Sequence, residues 1–443
     1  MAFSLFSSPP VLLAIALAGV IAVLILWNKP VIVIYLQIAY PCVMNYLIIQ
    51  FHFPTVIRYC TDILTLLLFL QLLLNRRINL KVNLRKPFFA VVLFTLVALV
   101  PFLMGSASFV YLVWGVRVIY RGYVFFAACI FFLTRRDIDN LLNFIVALLP
   151  INLLVCCFQF FIQGLVNDAV SGLFQFNAYL NLHLIVVSAA LTSFYAAGKI
   201  SIPIAAIGII MVLFTSVLAE LKAMFFFVPL VFLIIAVVTF PNKRALSFAA
   251  LGSIASLLSI PIMILFYPAW MDFFTAESMY QYSAELSYSG SEGLSRLMAG
   301  SYLLESVLLT PFEKLFGVGL GNADHYLGFY SPFYLQNWRL YYDVFTYSML
   351  IAEVGLLGLA AYVLFFISIV FDSIRAAVTM PTQLKRYCHI TIATSIFAVI
   401  LMVYNATSIR DFIYMLFFVF AIPYVIEKEA SENQISSHSN SQS

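Results

Sequence analysis

The sequence predicts an all-α polytopic membrane protein, with about 12 or 13 transmembrane helices and one large outer loop that contains short helices. Of the 443 residues, 64% are hydrophobic and 9% are charged. A water-soluble fold of this length could not bury so much apolar surface. The apolar stretches reach about 20 residues, the length that a helix needs to cross the hydrocarbon core of a bilayer. Barrel strands are excluded, because they would show shorter segments of alternating polarity.

The apolar stretches divide the chain into four regions. Residues 1–267 form an N-terminal transmembrane bundle, 268–343 a large loop, 344–426 the C-terminal transmembrane helices, and 427–443 a disordered cytoplasmic tail. The large loop is too rich in Tyr, Ser, Gly and Glu to span a bilayer. The predicted spans are 9–27, 31–51, 57–75, 87–105, 110–133, 139–163, 178–197, 201–219, 223–240, 245–267, 344–371, 388–405 and 411–426, the first two being either separate or one re-entrant unit.

The positions of Lys and Arg predict the orientation in the membrane, because loops rich in these residues stay in the cytoplasm. When the spans are threaded alternately, the basic clusters all fall on one side. We therefore expect a multi-pass protein of a bacterial inner (cytoplasmic) membrane, with the large loop in the periplasm and the C-terminus in the cytoplasm. The remaining cations map to the outer side, and they are Arg58, Arg117, Arg121, Lys222, Arg296, Lys314, Arg339 and Arg410.

Arg117 and Arg121 are the first candidates for a binding site. They are four residues apart, so both project from one face of a helix about a turn from the membrane surface. Guanidinium groups bind phosphate oxygens in a bidentate manner, which favours a bound phosphate or pyrophosphate. The alternative is that both side chains reach out to the lipid headgroups.

Arg58 and Lys222 are among the other cations that have an acid close by in the sequence. Arg58 and Asp62 are four residues apart, which favours an ion pair within the membrane. Lys222 follows Glu220 at a span boundary, where a local salt bridge and a ligand contact are equally compatible with the pattern.

The large loop supplies further candidates. Arg296 is at the start of a predicted amphipathic helix with an apolar stripe of leucines. Glycines at 317, 319 and 321 allow a tight turn whose amides can approach an anion, or a turn that binds nothing.

Metal and cofactor chemistry find little support in the sequence. His325 beside Asp324 is the only His/acid cluster in the large loop, and no second His or Asp-x-Asp spacing completes a coordination shell. The sequence contains no P-loop, no dinucleotide-binding unit and no nucleophile elbow. We expect no metal, no cofactor and no nucleic-acid partner.

Four segments then carry a resemblance to a known family. The first is SGLFQFNAYLNLHLIV (171–186), similar to a Gly-Leu-Phe-then-Asn entry into a central span, with Asn177 as the Asn. Lys222 follows, then SRLMAGSYLLESVLLTPFEKLFGVGLGN (295–322), with Arg, helix and Phe-Gly-Val-Gly-x-Gly in order. The last is DVFTYSMLIAEVGLLGLAAYVLFF (343–366), with Glu-x-Gly-x-x-Gly. In this order the segments resemble the O-antigen polymerase and O-antigen ligase superfamily of integral-membrane glycosyltransferases.

The resemblance implies a polysaccharide polymerase for O-antigen, exopolysaccharide or capsule, which joins oligosaccharide repeat units at the periplasmic face without a metal. The donor would be a polyprenyl-pyrophosphate-linked oligosaccharide, and the other partners membrane lipid and the chain-length regulator and flippase of the same pathway. Cations would stabilise the departing pyrophosphate. The catalytic candidates are Arg117, Arg121 and Arg296, with Asp343, His325 or Glu353 as acceptor of the hydroxyl proton. The substrate-binding candidates are Arg58, Asn177, Lys222, Gly319, Arg339, Glu353 and Arg410.

Three other functions remain open at this point. A ligase that attaches glycan to a lipid A core differs only in its acceptor, but ligases commonly begin the last motif with His-Asn, where this chain has Asp343-Val344. A flippase or transporter would concentrate ionisable residues near mid-membrane. A scaffold protein would have no need for the set of outer arginines.

Overall fold

The fold is a bundle of long helices, and the computed structural model describes residues 19, 21, 23–75, 83–285, 293–326, 329–410 and 412–440. The long helices are α1 Pro30–Gln50, α2 Cys60–Leu74, α3 Arg85–Leu103, α4 Phe109–Phe132, α5 Arg135–Cys157, α6 Asn177–Ala196, α7 Ile202–Leu218, α8 Met224–Val238, α9 Lys243–Phe266, α14 Thr346–Thr379, α15 Thr382–Tyr404 and α16 Ile413–Asn440. The large loop carries α10 Ala276–Tyr280, α11 Ala299–Tyr302, α12 Pro311–Phe316, α13 Pro332–Asn337 and the antiparallel pair β1 His325–Tyr326 and β2 Phe329–Tyr330.

The prediction of an all-α polytopic membrane protein is confirmed. Within the described ranges, nine helices are long and apolar enough to cross a membrane, and α7 and α8 are shorter apolar helices. Every predicted span from 31–51 onward overlaps one long helix of the structure. The predicted span 9–27 lies largely outside the described residues.

Side-chain contacts hold the basic ends of the helices together. Nζ of Lys199 is 2.8 Å from Oδ1 of Asp139, which joins the end of α6 to α5. Nζ of Lys86 is 3.2 Å from Oδ1 of Asp372, which joins α3 to α14. Together with the pairs Arg375–Glu427 at 3.5 Å and Arg386–Asp139 at 3.9 Å, these contacts place the basic residues of α3, α14 and α15 and Lys199 at one end of the bundle, within the part of the chain that the structure describes.

The tail prediction is wrong over 427–440, where α16 continues to Asn440. Its first residues are docked on the bundle rather than solvated. Nζ of Lys428 donates to the carbonyl oxygens of Ile130 and Leu133 at the end of α4, at 2.8 and 3.0 Å. Glu429 accepts a hydrogen bond from the backbone N–H of Arg135. These contacts use the unpaired carbonyls of one helix and the unpaired amide of the next, so they favour an ordered chain.

The large loop is joined to α14 where that helix is interrupted. Gly355 has φ +66°, a left-handed backbone conformation in the middle of α14. The carbonyl oxygens of Ala352 and Glu353 accept hydrogen bonds from the backbone amides of Val318 and Gly319, both at 2.9 Å. The loop therefore takes up carbonyls that the interrupted helix does not use.

The three glycines of this turn are required by close packing. Gly317, Gly319 and Gly321 all have positive φ, and a Cβ at Gly321 would collide with the carbonyl oxygen of Tyr111 in α4. A Cβ at Gly319 would collide with Ala107. The Gly319 amide donates to α14, which favours the alternative of a turn that binds no anion and docks the loop on the bundle.

Candidate functional site

A cavity of about 780 Å³ lies at the end of the bundle opposite the basic clusters, where the large loop packs against the helices. Its walls come from parts of the chain that are far apart in sequence. They are 167–168, 175–179, Asn181, 220–222, 343–344, 404–406, Arg410, and Trp270, Tyr282 and Arg296 of the large loop. The charged residues on the walls are Lys222, Arg296, Arg410, Asp168, Glu220 and Asp343. The cavity thus mixes cations, carboxylates and aromatic rings.

Lys222 lies in the tight turn between α7 and α8. Its Nζ is 2.9 Å from Oε1 of Glu220, and it lies over the ring of Trp270, 2.8 Å from the centroid. Burial lowers the pKa of Lys222 below its ordinary value, while the carboxylate of Glu220 opposes that shift. Glu220 itself has φ +54°, a conformation that is costly for a residue with a side chain. The turn therefore holds the ammonium group at the cavity wall.

Arg296 reaches the cavity from the large loop. Its Nη2 donates to the hydroxyl of Tyr282 at 2.9 Å, and its guanidinium lies over the rings of Tyr282 and Tyr404, at 4.3 and 5.3 Å. The predicted amphipathic helix is shorter than expected, because α11 begins only at Ala299. Stacking between aromatic rings leaves the planar guanidinium in a fixed orientation.

Arg410 is bound by two carboxylates of the large loop. Its Nη1 and Nη2 donate to Asp324 at 3.0 and 3.2 Å, and Oδ2 of Asp343 is 3.8 Å away. Asp324 is completely buried. Burial tends to lower the pKa of Arg410, but Asp324 and Asp343 together raise it above its ordinary value. The sequence analysis noted Asp324 only as a metal-ligand candidate, and no local pattern pairs it with Arg410.

Asp343 is the carboxylate of this group that faces the cavity. Its Oδ2 is 3.7 Å from Nδ1 of His325, whose ring lies against Tyr334 with centroids 4.8 Å apart. Burial raises the pKa of Asp343 above its ordinary value, although Arg410 opposes the shift. A carboxylate in this setting is a stronger base than an exposed one.

Three nearly buried residues on the cavity wall have polar atoms without a hydrogen-bond partner in the described structure. These atoms are Oδ1 of Asn181, Oε2 of Glu220 and Nδ2 of Asn405. Leaving such groups unpaired costs about 1 to 3 kcal/mol each, so they point to a polar ligand or to bound water. The sequence analysis missed Asn181, an ordinary amide within the apolar helix α6, and Asn405, which directly follows α15.

Arg117 and Arg121 do not line the cavity, and this corrects the first candidate of the sequence analysis. Nη2 of Arg117 is 2.6 Å from Oδ2 of Asp62, and Nη2 of Arg121 donates to the carbonyl oxygen of Ile409 at 3.1 Å. The expected local pair of Arg58 with Asp62 is also wrong, because Asp62 pairs with Arg117. Spacing along one helix defines a common face, but it does not show which neighbouring helix covers that face.

The other candidates are divided between the cavity and its surroundings. Asn177 is at the cavity wall and donates to Asp168 at 2.6 Å. Arg339 stacks on Trp338, 5.5 Å from the ring centroid. Glu353 is buried in α14 beneath the glycine turn, so it supports the loop and has no direct place on the cavity wall.

A metal ion has one candidate location among the described residues. Ligand atoms of Asp324, His325 and Asp343 all lie within 4.8 Å of one another. However, the guanidinium of Arg410 already pairs with both carboxylates. An ion would have to compete with Arg410 for the same oxygens.

No protein-family model matches this sequence, and no curated protein matches it. The chemistry of the cavity is therefore the basis for assigning a function.

Proposed function

We propose that this chain is a membrane-embedded glycosyltransferase that polymerises oligosaccharide repeat units carried on polyprenyl pyrophosphate, at the outer face of a bacterial inner membrane. The observation that carries the proposal is the meeting of Lys222 and Arg296, from distant parts of the chain, with the Asp343 carboxylate around one cavity. Such a transfer needs positive charge at the leaving group and a base at the attacking hydroxyl. The volume of about 780 Å³ is that of a pocket for a substantial ligand.

Lys222 and Arg296 act on the leaving group. The hydroxyl oxygen of the acceptor sugar bonds to the anomeric carbon of the donor, and the bond from that carbon to the pyrophosphate breaks with its electron pair. Negative charge then grows on the phosphate oxygens in the transition state. The two cations stabilise it, and the aromatic rings around them lower the local dielectric and strengthen the interaction. Arg296 therefore keeps the role that the resemblance implies for it, and Lys222 joins it in place of Arg117 and Arg121.

Asp343 takes the proton of the acceptor hydroxyl. Its carboxyl group faces the cavity, and burial raises its pKa. His325 and Arg410 lie 3.7 and 3.8 Å from its Oδ2 and keep it in position. Proton transfer to such a base contributes about 100- to 10,000-fold to the rate. The unpartnered atoms of Asn181 and Asn405 contact sugar hydroxyls or amides, which satisfies their hydrogen-bonding capacity.

The proposal is tested by the glycan that accumulates when the gene is deleted. If the chain is a polymerase, we expect the deletion strain to accumulate single repeat units attached to the polyprenyl carrier and exposed at the outer face. Extraction and mass spectrometry of the lipid-linked glycan would measure them. Restoring the wild-type gene should restore long chains. Free polymer not attached to a lipid core would indicate a ligase, and units confined to the inner face would indicate a flippase. Either of these results would contradict the proposal.

The activity should depend on pH through Asp343. A base works only when deprotonated, and burial raises the pKa of this carboxyl group. Chain extension should therefore fall as the pH drops through that raised pKa, at a higher pH than an ordinary aspartate would give. The assay uses purified protein and the single repeat units extracted from the deletion strain. Asp343→Asn should lower the rate by at least about 100-fold at a pH above the pKa of Asp343, and by less below it. A variant with the wild-type profile would exclude Asp343 as the base.

A further inference from the structure

A second group of charged residues lies outside the cavity, between α1, α2 and α4. Nη2 of Arg58 is 3.4 Å from Oδ1 of Asn45, and Nη2 of Arg117 is 2.6 Å from Oδ2 of Asp62. The guanidinium of Arg117 also lies over the ring of Tyr59, 4.9 Å from its centroid. We call these residues the α2 cluster.

The α2 cluster carries a net positive charge. Asp62 neutralises one of the two guanidinium groups, so Arg58 and Arg117 together leave an excess of one charge. The side chains of Arg117 and Asp62 are 28% and 20% exposed, so a ligand outside the bundle can reach them. A partly exposed cation such as Arg117, beside helices that face lipid, favours an anionic partner over bare hydrocarbon.

The hydrogen bonding of the α2 cluster is unbalanced towards donors. Nδ2 of Asn45, Nε of Arg58 and Nε of Arg117 are buried and have no hydrogen-bond partner in the described structure, against one acceptor, Oδ1 of Asp62. Asn45 is completely buried. Three unused donors around two guanidinium groups match an oxyanion with several lone pairs. Phosphate is the oxyanion that membranes supply in quantity.

An apolar stripe runs along α2 from the α2 cluster into the membrane. Leu66, Phe69 and Leu73 follow Asp62 at four, seven and eleven residues, so they lie on the same face of the helix. They are 57%, 42% and 63% exposed in the isolated chain, as expected of residues that face lipid. The stripe is long enough to contact an acyl chain whose headgroup is at Asp62 and Arg117.

We propose that the α2 cluster binds the phosphate of an anionic membrane lipid, with one acyl chain along the stripe Leu66, Phe69 and Leu73. Arg58 and Arg117 hold the phosphate oxygens, and Asn45 donates a further hydrogen bond. This site is separate from the cavity and does not depend on the glycosyltransferase function. The Asp62 carboxylate orients Arg117, and it repels a lipid whose headgroup would place additional negative charge beside it.

Native mass spectrometry of the purified full chain tests the site, with phosphatidylglycerol, phosphatidylcholine and inorganic phosphate as separate probes. We expect phosphatidylglycerol to bind more tightly than phosphatidylcholine, whose choline cation is repelled by the cluster. Arg58→Gln, which leaves the Arg117 ion pair intact, should weaken phosphatidylglycerol binding by about tenfold or more. Lys86→Gln, an exposed cation at the other end of the bundle, should not change it.

A second variant removes the ion pair as a unit. Asp62→Asn combined with Arg117→Gln creates no new unpaired charge and should also weaken phosphatidylglycerol binding. Equal binding of phosphatidylglycerol by wild type and Arg58→Gln would overturn the proposal. So would equal binding of phosphatidylcholine. Inorganic phosphate that competes fully with phosphatidylglycerol would show a site for a soluble anion and would overturn the lipid assignment.

Discussion

Replacing Arg296 with alanine is expected to slow chain extension by about 100-fold or more, which is the loss typical of removing one preorganised donor to a developing negative charge. Arg296 is held between the rings of Tyr282 and Tyr404, so its guanidinium needs no reorganisation when the pyrophosphate leaves. The measurement is the length distribution of lipid-linked glycan in the deletion strain that expresses the variant. Single repeat units should dominate.

Two further variants separate the charge from the shape of Arg296. Arg296→Lys keeps the charge but loses the planar fork and its stacking, so we expect intermediate chain lengths. Lys314→Ala is the matched control, because Lys314 is another cation of the large loop but does not line the cavity. It should leave chain lengths normal. Normal chains from Arg296→Ala, at normal protein levels, would remove this residue from the mechanism.

Replacing Asp324 with alanine is expected to lower the stability of the folded chain by about 1.5 to 3 kcal/mol, because it removes the carboxylate that accepts both hydrogen bonds of the half-buried Arg410 guanidinium. Asp324 is completely buried and accepts both hydrogen bonds of the Arg410 guanidinium, at 3.0 and 3.2 Å. The midpoint of thermal unfolding of the purified protein in detergent should fall accordingly. The yield of folded protein should fall with it.

Removing both charges should cost less than removing one. The double variant Asp324→Ala with Arg410→Met has no guanidinium that lacks its main partner, and Asp343 keeps His325 beside it, so its unfolding midpoint should lie above that of Asp324→Ala alone. Asp272→Ala, at an exposed position of the large loop, should leave the midpoint unchanged. An Asp324→Ala protein as stable as wild type would show that the ion pair has no structural role.

The helices could be predicted from sequence because each is defined by its own residues. A run of apolar residues as long as a bilayer is thick leaves few alternatives to a helix. The tail from 427 was mispredicted because its order depends on distant partners. Lys428 and Glu429 read locally as a solvated, polar end, yet they bind the ends of α4 and α5. No feature of the tail itself signals those contacts.

The cavity could be predicted in part. Lys222 and Arg410 were found as charges near the ends of spans, where a charge is costly and tends to be functional. Arg296 was found at the start of a predicted helix in the large loop, and Asp343 through the resemblance of the last motif. Their grouping depends on how the bundle packs, so it could not be derived from spacing. Arg117 failed for the same reason, because the partner that occupies it belongs to another helix.

The break in α14 at Gly355 fixes one side of the large loop to the bundle and leaves the cavity wall on the other side without such backbone contacts. The backbone amides of Val318 and Gly319 donate to two carbonyls of α14 that would be used within an unbroken helix. This side of the loop therefore stays attached to the bundle as long as α14 keeps its break. The wall around Trp270 and Tyr282 meets the cations through ring faces and one hydroxyl group. If the chain polymerises glycan as proposed, the lengthening sugar chain would leave the cavity past Trp270 and Tyr282. The side of the large loop that is hydrogen-bonded to α14 would stay in place.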